Sequence, residues 1–474
     1  MKTQCNENTF PFQSEISREI VAKFDGGTIT SDAGGLLLQK IEQLTGIISQ
    51  FAGCFTDHRD PDLIEHTVEE LVAQRIYALA LGYEDINDHD DLRNDPLLAV
   101  LVGKTDPAGS ERVRKRDKGK ALAGKSTLNR LELTPVRANE QSRYKKIPLD
   151  CRAAENVFTE IFLQSYDKAP SRIILDLDAT DDPIHGHQLG RFFHGYYKSY
   201  CYLPLYIFCG DHLLCAKLRP SDIDAAAGSV KQLDRIIWRI RLEWPNVEII
   251  IRGDSGFCRE SIMSWCESQN IGYILGLAKN ERLKQEIVPE MEQAKEIYKQ
   301  TRQAARRFKD FEYQTLKSWS RPRRVIGKAE YLGKGENPRF VVTSLSSEEI
   351  DARRLYEDEY CARGEMENRI KEQQLWLFAD RTSSATMRAN QLRLWFSSIA
   401  YTLLIALKRR GLKGTEFAKA QCSTIRLKLL KIGAQIHVTV RKVWVLLAES
   451  YPYRRIFKQV YENLTRLCPV PRRC

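Results

Sequence analysis

The stretch from Arg172 to Leu277 constrains the fold more than any other part of this 474-residue chain. Ile173–Asp178 alternates apolar and acidic residues, the two-residue period of a strand. Leu203–Phe208 and Leu213–Leu218 are apolar runs flanking the turn Cys209–His212, which predicts a hairpin. Ser229–Arg241 sets Val230, Leu233, Ile236, Ile237 and Ile240 on one helical face, with Ser229 placed to cap it. A buried strand follows at Val247–Ile251, a helix at Glu260–Glu267 and a strand at Gly272–Leu277. Three antiparallel strands, then two more that are each reached through a helix, make an α/β architecture.

Two of these strands end in aspartate. Asp178 closes Leu175-Asp176-Leu177-Asp178-Ala179-Thr180, and Asp254 follows Ile251-Arg252-Gly253. A third acid, Glu367, lies in Tyr360-Cys361-Ala362-Arg363-Gly364-Glu365-Met366-Glu367. The gaps between the three acids are 76 and 113 residues. Phosphodiester cleavage needs a nucleophilic oxygen, a stabilised leaving oxygen and neutralised charge, and two divalent ions about 3.5–4 Å apart supply all three. Mg²⁺ takes carboxylate oxygens and keeps several waters, so three acids without His or Cys ligands make a sufficient set.

These residues resemble the DDE transposases of bacterial insertion sequences. The matching subgroup has a β-rich insertion between its second Asp and its Glu, and a Tyr-x-x-Arg-x-x-x-Glu signature that Tyr360–Glu367 matches without a break. The resemblance covers roughly residues 170–400. It implies a ribonuclease H-like catalytic core, in which the strands bearing Asp178 and Asp254 are neighbours. Asp178, Asp254 and Glu367 would be the catalytic residues and the ligands of two Mg²⁺ (or Mn²⁺) ions. Tyr360 and Arg363 would contact DNA phosphate, where a guanidinium grips two oxygens. The family often carries a Lys seven residues after its Glu; here that position is Gln374. Lys371, one helical turn after Glu367, takes the DNA-binding role in its place. Asp176 rivals Asp178, because both lie on one strand face; Thr180, close behind Asp178 as the family's Thr is, favours Asp178. Glu365 and Glu372 rival Glu367 but break the signature spacing.

The expected organisation has five parts. Residues 1–165 are a mostly helical DNA-binding region, with helical spacing over Gly35–Gly46 and Val68–Leu81. Residues 166–282 are the first part of the core. Residues 283–345 are the β-rich insertion, with strands at Phe308–Leu316, Arg323–Leu332 and Arg339–Leu345. Residues 346–410 complete the core, with helices over Tyr356–Trp376 and Ser384–Lys408. Residues 411–474 are a basic helical region.

The net charge of +11 favours a polyanionic partner. It is concentrated: Lys408–Cys474 holds 16 Lys/Arg against three Glu, Glu111–Arg130 eight against two acids, and Arg302–Lys328 nine against two. Three such runs suggest a distributed surface for double-stranded DNA, both the element's inverted-repeat ends and the target. Joining two ends at once calls for a dimer on DNA. Twelve Cys without a C-x-x-C pair argue against zinc ribbons and disulfides and fit a reducing cytoplasm. Met1–Phe10 is polar, without a signal-peptide core, and the apolar stretch Leu394–Leu407 is too short to span a bilayer.

Other signals carry less. Gly119–Ser126 fits the phosphate-loop pattern letter for letter, but the charged residues before it cannot form the buried strand such a loop requires. His185, His187 and His194 lack further zinc ligands at suitable spacing. Asp85–Asp95 lacks the Gly and Glu of a calcium loop and reads as solvated or helix-capping. The aromatics Phe192, Phe193, Tyr196, Tyr197, Tyr200 and Tyr202 suit base stacking or packing equally. The expected function is cleavage at the ends of an insertion sequence and transfer of the 3′-hydroxyl ends to target DNA. A ribonuclease H-like nuclease without strand transfer and a non-catalytic DNA-binding repressor are the alternatives.

Overall fold

The computed structural model describes residues 9–12, 18 and 20–467. Most of Met1–Phe10 and the basic end of 411–474, with Arg472 and Arg473, lie outside the described residues. The chain divides into two units: residues 1–148 with 403–474, and residues 149–402.

The second unit is built on a large mixed sheet. Its main strands are β1 (Arg172–Ala179), β2 (Leu205–Cys209), β3 (His212–Lys217), β4 (Glu248–Gly253), β5 (Gly272–Leu277), β6 (Ala305–Tyr313), β7 (Arg323–Leu332) and β8 (Arg339–Thr343). They lie in the order β6-β7-β8-β5-β4-β1-β2-β3. A two-residue strand at Gly335–Glu336 also pairs with β7. β1, β4 and β5 run parallel, and β2 pairs antiparallel with β1. Parallel neighbours need crossover connections, which the helices Ser229–Glu243 and Glu260–Ser268 supply. The strands of residues 283–345 hydrogen-bond into this same sheet, because β8 pairs antiparallel with β5 from Ile274↔Thr343 to Leu277↔Phe340.

Strand alternation assigns the two faces. Ile173, Leu175 and Leu177 enter a core with Ile236 and Ile240 of one crossover helix and Met263 and Cys266 of the other. Ile174 points the other way, toward a smaller core of Ile250, Ile274, Val341, Leu355 and Tyr356. Burying each such aliphatic side chain stabilises by about 1.5–3 kcal/mol. Leu355 and Tyr356 begin the segment that carries Glu367, so this second core presses that segment onto the face of β1 that bears Asp176 and Asp178.

The first unit is mostly helical, with helices that include Leu36–Thr45, Val68–Leu81, Pro96–Val102, Lys125–Glu132 and Arg454–Leu467. Its C-terminal part departs from the helical expectation. Ala434–Val438 and Val443–Leu447 form a hairpin that pairs with Ile29–Thr30. The physical reason is a period-two run of β-branched residues, Ile436, Val438, Val443 and Val445, around a turn closed by Thr439 and Lys442. Asp85 and Asp95 cap helix starts, as their pattern suggested.

The phosphate-loop look-alike is packed structure. Ala121, Leu122 and Ala123 are buried, and Gln74 bonds both the N–H and the C=O of Ala123. The N–H of Lys125, at the start of the next helix, already donates to Asp90 Oδ1 at 3.0 Å.

Candidate active site

The register of β1 and β4 places the two aspartates. Arg252 pairs with Asp176 and Gly253 with Leu177, so the next residues on the two strands are Asp178 and Asp254. Side by side at the C-terminal ends of parallel neighbours, they lie on the face covered by the segment from Ala352 to Trp376. Asp178 Oδ1 accepts the N–H of Ala179 at 2.9 Å. Asp254 Oδ1 accepts the N–H of Gly256 at 2.8 Å, within a turn that Phe257 closes onto the Asp254 carbonyl.

The third acid arrives on an irregular helix. Its backbone passes from a π-helical turn (Leu355–Tyr360) through a 3₁₀ turn (Cys361–Arg363) into the α-helix Gly364–Lys371, with a second π-helical turn at Glu372–Trp376. Such turns recur at functional sites because they re-aim side chains. Arg363 is the link between the elements. Its guanidinium donates to Asp178 Oδ2 at 3.3 Å and to Glu367 Oε1 at 3.0 Å. Asp178 and Arg363 are each 15% exposed at the side chain and Glu367 49%, so the cluster opens to solvent on the Glu367 side.

Tyr360 lies deeper, with its ring 5.5 Å from that of Tyr356. Its hydroxyl fits because residue 276 is glycine: a Cβ there would stand 2.5 Å from that oxygen and 3.2 Å from the Asp254 carbonyl carbon. Lys371 is exposed on the last turn and has no ion-pair partner among the described residues. Gln374 is committed elsewhere, donating to Asp181 O and Asp182 Oδ1, both at 3.0 Å.

The rivals separate by their partners. Asp176 is taken by Arg252, whose Nε and Nη2 reach its two oxygens at 2.5 and 2.8 Å. A third N–H of Arg252 donates to the Glu359 carbonyl, tying the pair to the overlying helix. Glu365 is 74% exposed at the side chain and pairs with Arg369. Glu372 is buried. The sequence reading gave Arg252 no role, although a signal existed: it stands two residues before Asp254 as Asp176 stands two before Asp178.

The electrostatics follow from crowding acids in a half-closed place. Burial, then the negative charge of Asp254 and Glu367, pushes the Asp178 carboxyl up to about 6, against the pull of Arg363. Burial also raises the Tyr360 phenol, and Asp254 adds to it. Among the described residues no group of three or more His, Cys, Asp or Glu side chains is arranged to hold a metal ion. The donor chemistry nonetheless suits a hard cation. Two aspartates end neighbouring strands, Asp178 holds its proton to an unusually high pH, and Arg363 bridges Asp178 to Glu367.

A family model described as transposase DDE domain group 1 matches residues 12–469. The chain belongs to that family. No curated protein matches the transposase closely enough to count as a relative. The matched span takes in both units, so the helical unit is part of the transposase domain as the family defines it. The basic run Arg302–Lys328 is largely neutralised within the transposase itself. Arg306, Lys309, Arg321, Arg323, Arg324 and Lys328 all pair with acids of the same unit. His187 bonds Arg191, and His194 packs on Tyr197. No helix among the described residues is long and apolar enough to cross a membrane.

Proposed function

We propose that this transposase cleaves DNA at the ends of its own element and joins the freed 3′-hydroxyls to target DNA, with Asp178, Asp254 and Glu367 as its catalytic carboxylates. The observation that carries this reading is the pairing register, which makes Asp178 and Asp254 neighbours while Arg363 draws Glu367 toward them. The strand order β3-β2-β1-β4-β5, with β2 antiparallel, supports a ribonuclease H-like core.

The three carboxylates would hold two Mg²⁺ or Mn²⁺ ions, which when bound supply an activated nucleophile and neutralise the leaving oxygen. With the cations bound, Asp178 would serve in its ionised form. Arg363, released from Asp178 and Glu367, turns its fork to a non-bridging phosphate oxygen. Tyr360 offers its hydroxyl beside Asp254, and Lys371 meets the DNA backbone from the exposed turn. Cleavage breaks the P–O3′ bond by attack of water, leaving a 3′-hydroxyl and a 5′-phosphate. In joining, that hydroxyl attacks a target phosphate in line and expels a target 3′-oxygen, so one phosphodiester replaces another.

The DNA partner is the element's inverted-repeat ends together with the target, held by a dimer in the cytoplasm. The nine free cysteines among the described residues fit a reducing compartment. The test is Mg²⁺-dependent cutting and joining of DNA carrying the element's ends. Wild type should do both, while Asp178→Ala, Asp254→Ala and Glu367→Ala should bind DNA and do neither. Full activity in any variant removes that residue from the site, and cutting without joining reduces the protein to a nuclease.

A further inference from the structure

Between β1 and β2 the chain makes an excursion that the catalytic reading leaves unused. Asp182–Pro183, Phe192–His194 and Ser199–Tyr202 form a small antiparallel sheet, with the central strand Ser199–Tyr202 paired on both sides. It is fixed to the rest of the unit: Ser221 Oγ donates to the Phe192 carbonyl and Gln188 Nε2 to that of Thr382. At the turn, Tyr197 Oη donates to the carbonyl of Ala179, the residue after Asp178. The phenol also lies within electrostatic reach of Asp178 and Asp254. The excursion therefore stands at the edge of the acid cluster.

Its outer surface is aromatic and uncovered. Phe193 is 58% exposed, Tyr196 83% and Tyr200 48%. Phe193 and Tyr200 face each other across the strands, 5.6 Å apart and edge-on, and the Arg191 guanidinium lies 4.7 Å from the Tyr200 ring centre. Large rings gathered on one exposed surface mark an interaction site more often than rings scattered singly do. Arg191 lies on the patch, and exposed Lys198 sits in the turn between its two strands. Neither has a carboxylate partner among the described residues, unlike the neutralised cations of Arg302–Lys328. Ring faces beside unneutralised cations, continuous with a phosphate-cutting site, match the chemistry of an unpaired nucleic acid strand.

Resting on the proposed function, we infer that the aromatic sheet of residues 182–202 is a stacking platform for unpaired bases next to the phosphate at the acid cluster. Phe193, Tyr196 and Tyr200 stack on base faces, and Arg191 and Lys198 hold the phosphates between them. A duplex hides its base faces, so the platform favours DNA opened beside the cut.

The test uses the full-length protein and two oligonucleotide probes of one sequence, a paired duplex and a fork, with 2-aminopurine among the fork's unpaired bases. Wild type should quench the 2-aminopurine and prefer the fork. Phe193→Ala and Tyr196→Ala should each cut that preference about tenfold and relieve the quench, with paired-duplex affinity unchanged. Phe193→Trp and Tyr196→Trp should restore both. These side chains are exposed, so a loss of folding is not expected, and circular dichroism checks it. Equal weakening on both probes, or an unaltered quench in the alanine variants, overturns the platform. If the platform fails while Mg²⁺-dependent cleavage still needs Asp178, the transposase reading stands; if neither probe is bound, both fall.

Discussion

Two successive layers of the same pair of strands use the same residue types to opposite ends. In the inner layer, Asp176 on β1 meets Arg252 on β4. In the outer layer, Asp178 meets Asp254, and the arginine comes from the helix above. The inner pair is bidentate and shut, with side chains 3% and 8% exposed. The outer arginine spreads single contacts over two acids and leaves one of them half open. Burial pushes Asp176 up too, but the hydrogen bonds of Arg252 pull it back, whereas Asp178 reaches about 6. An Arg opposite an Asp closes a structural lock. An Asp in that place, with the Arg moved onto another element, leaves excess negative charge that a cation can answer.

The comparison breaks most sharply at its two arginines. Arg252→Ala strands the Asp176 carboxylate in the core and should cost about 3–5 kcal/mol of stability, read by denaturant unfolding. A double change to Asp176→Leu and Arg252→Met should recover most of it, because no buried charge then lacks a partner. Arg363→Ala should act on the reaction instead. Mg²⁺-dependent cleavage should fall by about a hundredfold or more, while the unfolding midpoint in Mg²⁺ stays near that of wild type. If the two variants exchange these phenotypes, the layers have been assigned the wrong way round.

A finer probe is pH. The Asp178 carboxyl is raised from an ordinary 3.8 to about 6, so the fold prefers its protonated form. Without divalent ions, the stability it contributes is full below about pH 4 and is lost as pH rises through about 6. Asp178→Asn should match wild type near pH 4 and exceed it by about 3 kcal/mol above pH 6.5. A constant difference across that window would mean Asp178 is not held in a crowd of acids. The smallest effect belongs to Glu365→Ala. Its exposed pair with Arg369 should shift stability by no more than about 0.5 kcal/mol, with cleavage intact.

Local pattern was legible in the sequence, and long-range pairing was not. β1, the hairpin β2–β3, β4 and β5 could be read because each is a short apolar run with its own turn signals. Asp178 and Asp254 stood out as acids ending such runs. β6, β7 and β8 were visible as strands, but their joining the main sheet through β5 depends on partners over 60 residues away, which no local pattern encodes. The basic run Arg302–Lys328 looked like a DNA surface because its neutralising acids come from elsewhere in the chain, Glu260, Glu267 and Glu357 among them. Gln374 stood as a missing lysine, and its hydrogen bond to the fully buried Asp182 could not be seen from spacing. The C-terminal hairpin was hidden because its alternating Ile and Val are short runs between basic residues, and its third strand, Ile29–Thr30, comes from the far end of the chain.

The π-helical turn at Leu355–Tyr360 gives the Glu367 helix an unequal tolerance to changes in length. A π turn is an α-helix that has absorbed one extra residue, so the chain holds a spare there, and another at Glu372–Trp376, but none in Gly364–Lys371. Deleting exposed Asp358 should let the turn relax to ordinary α-helix, with Arg363 and Glu367 still in phase with the sheet. Deleting Glu365 instead would rotate Glu367 by about 100° against Arg363, one residue's share of a helical turn. Relatives of this chain that differ in length along the helix should therefore differ before Arg363 or beyond Lys371, not between them.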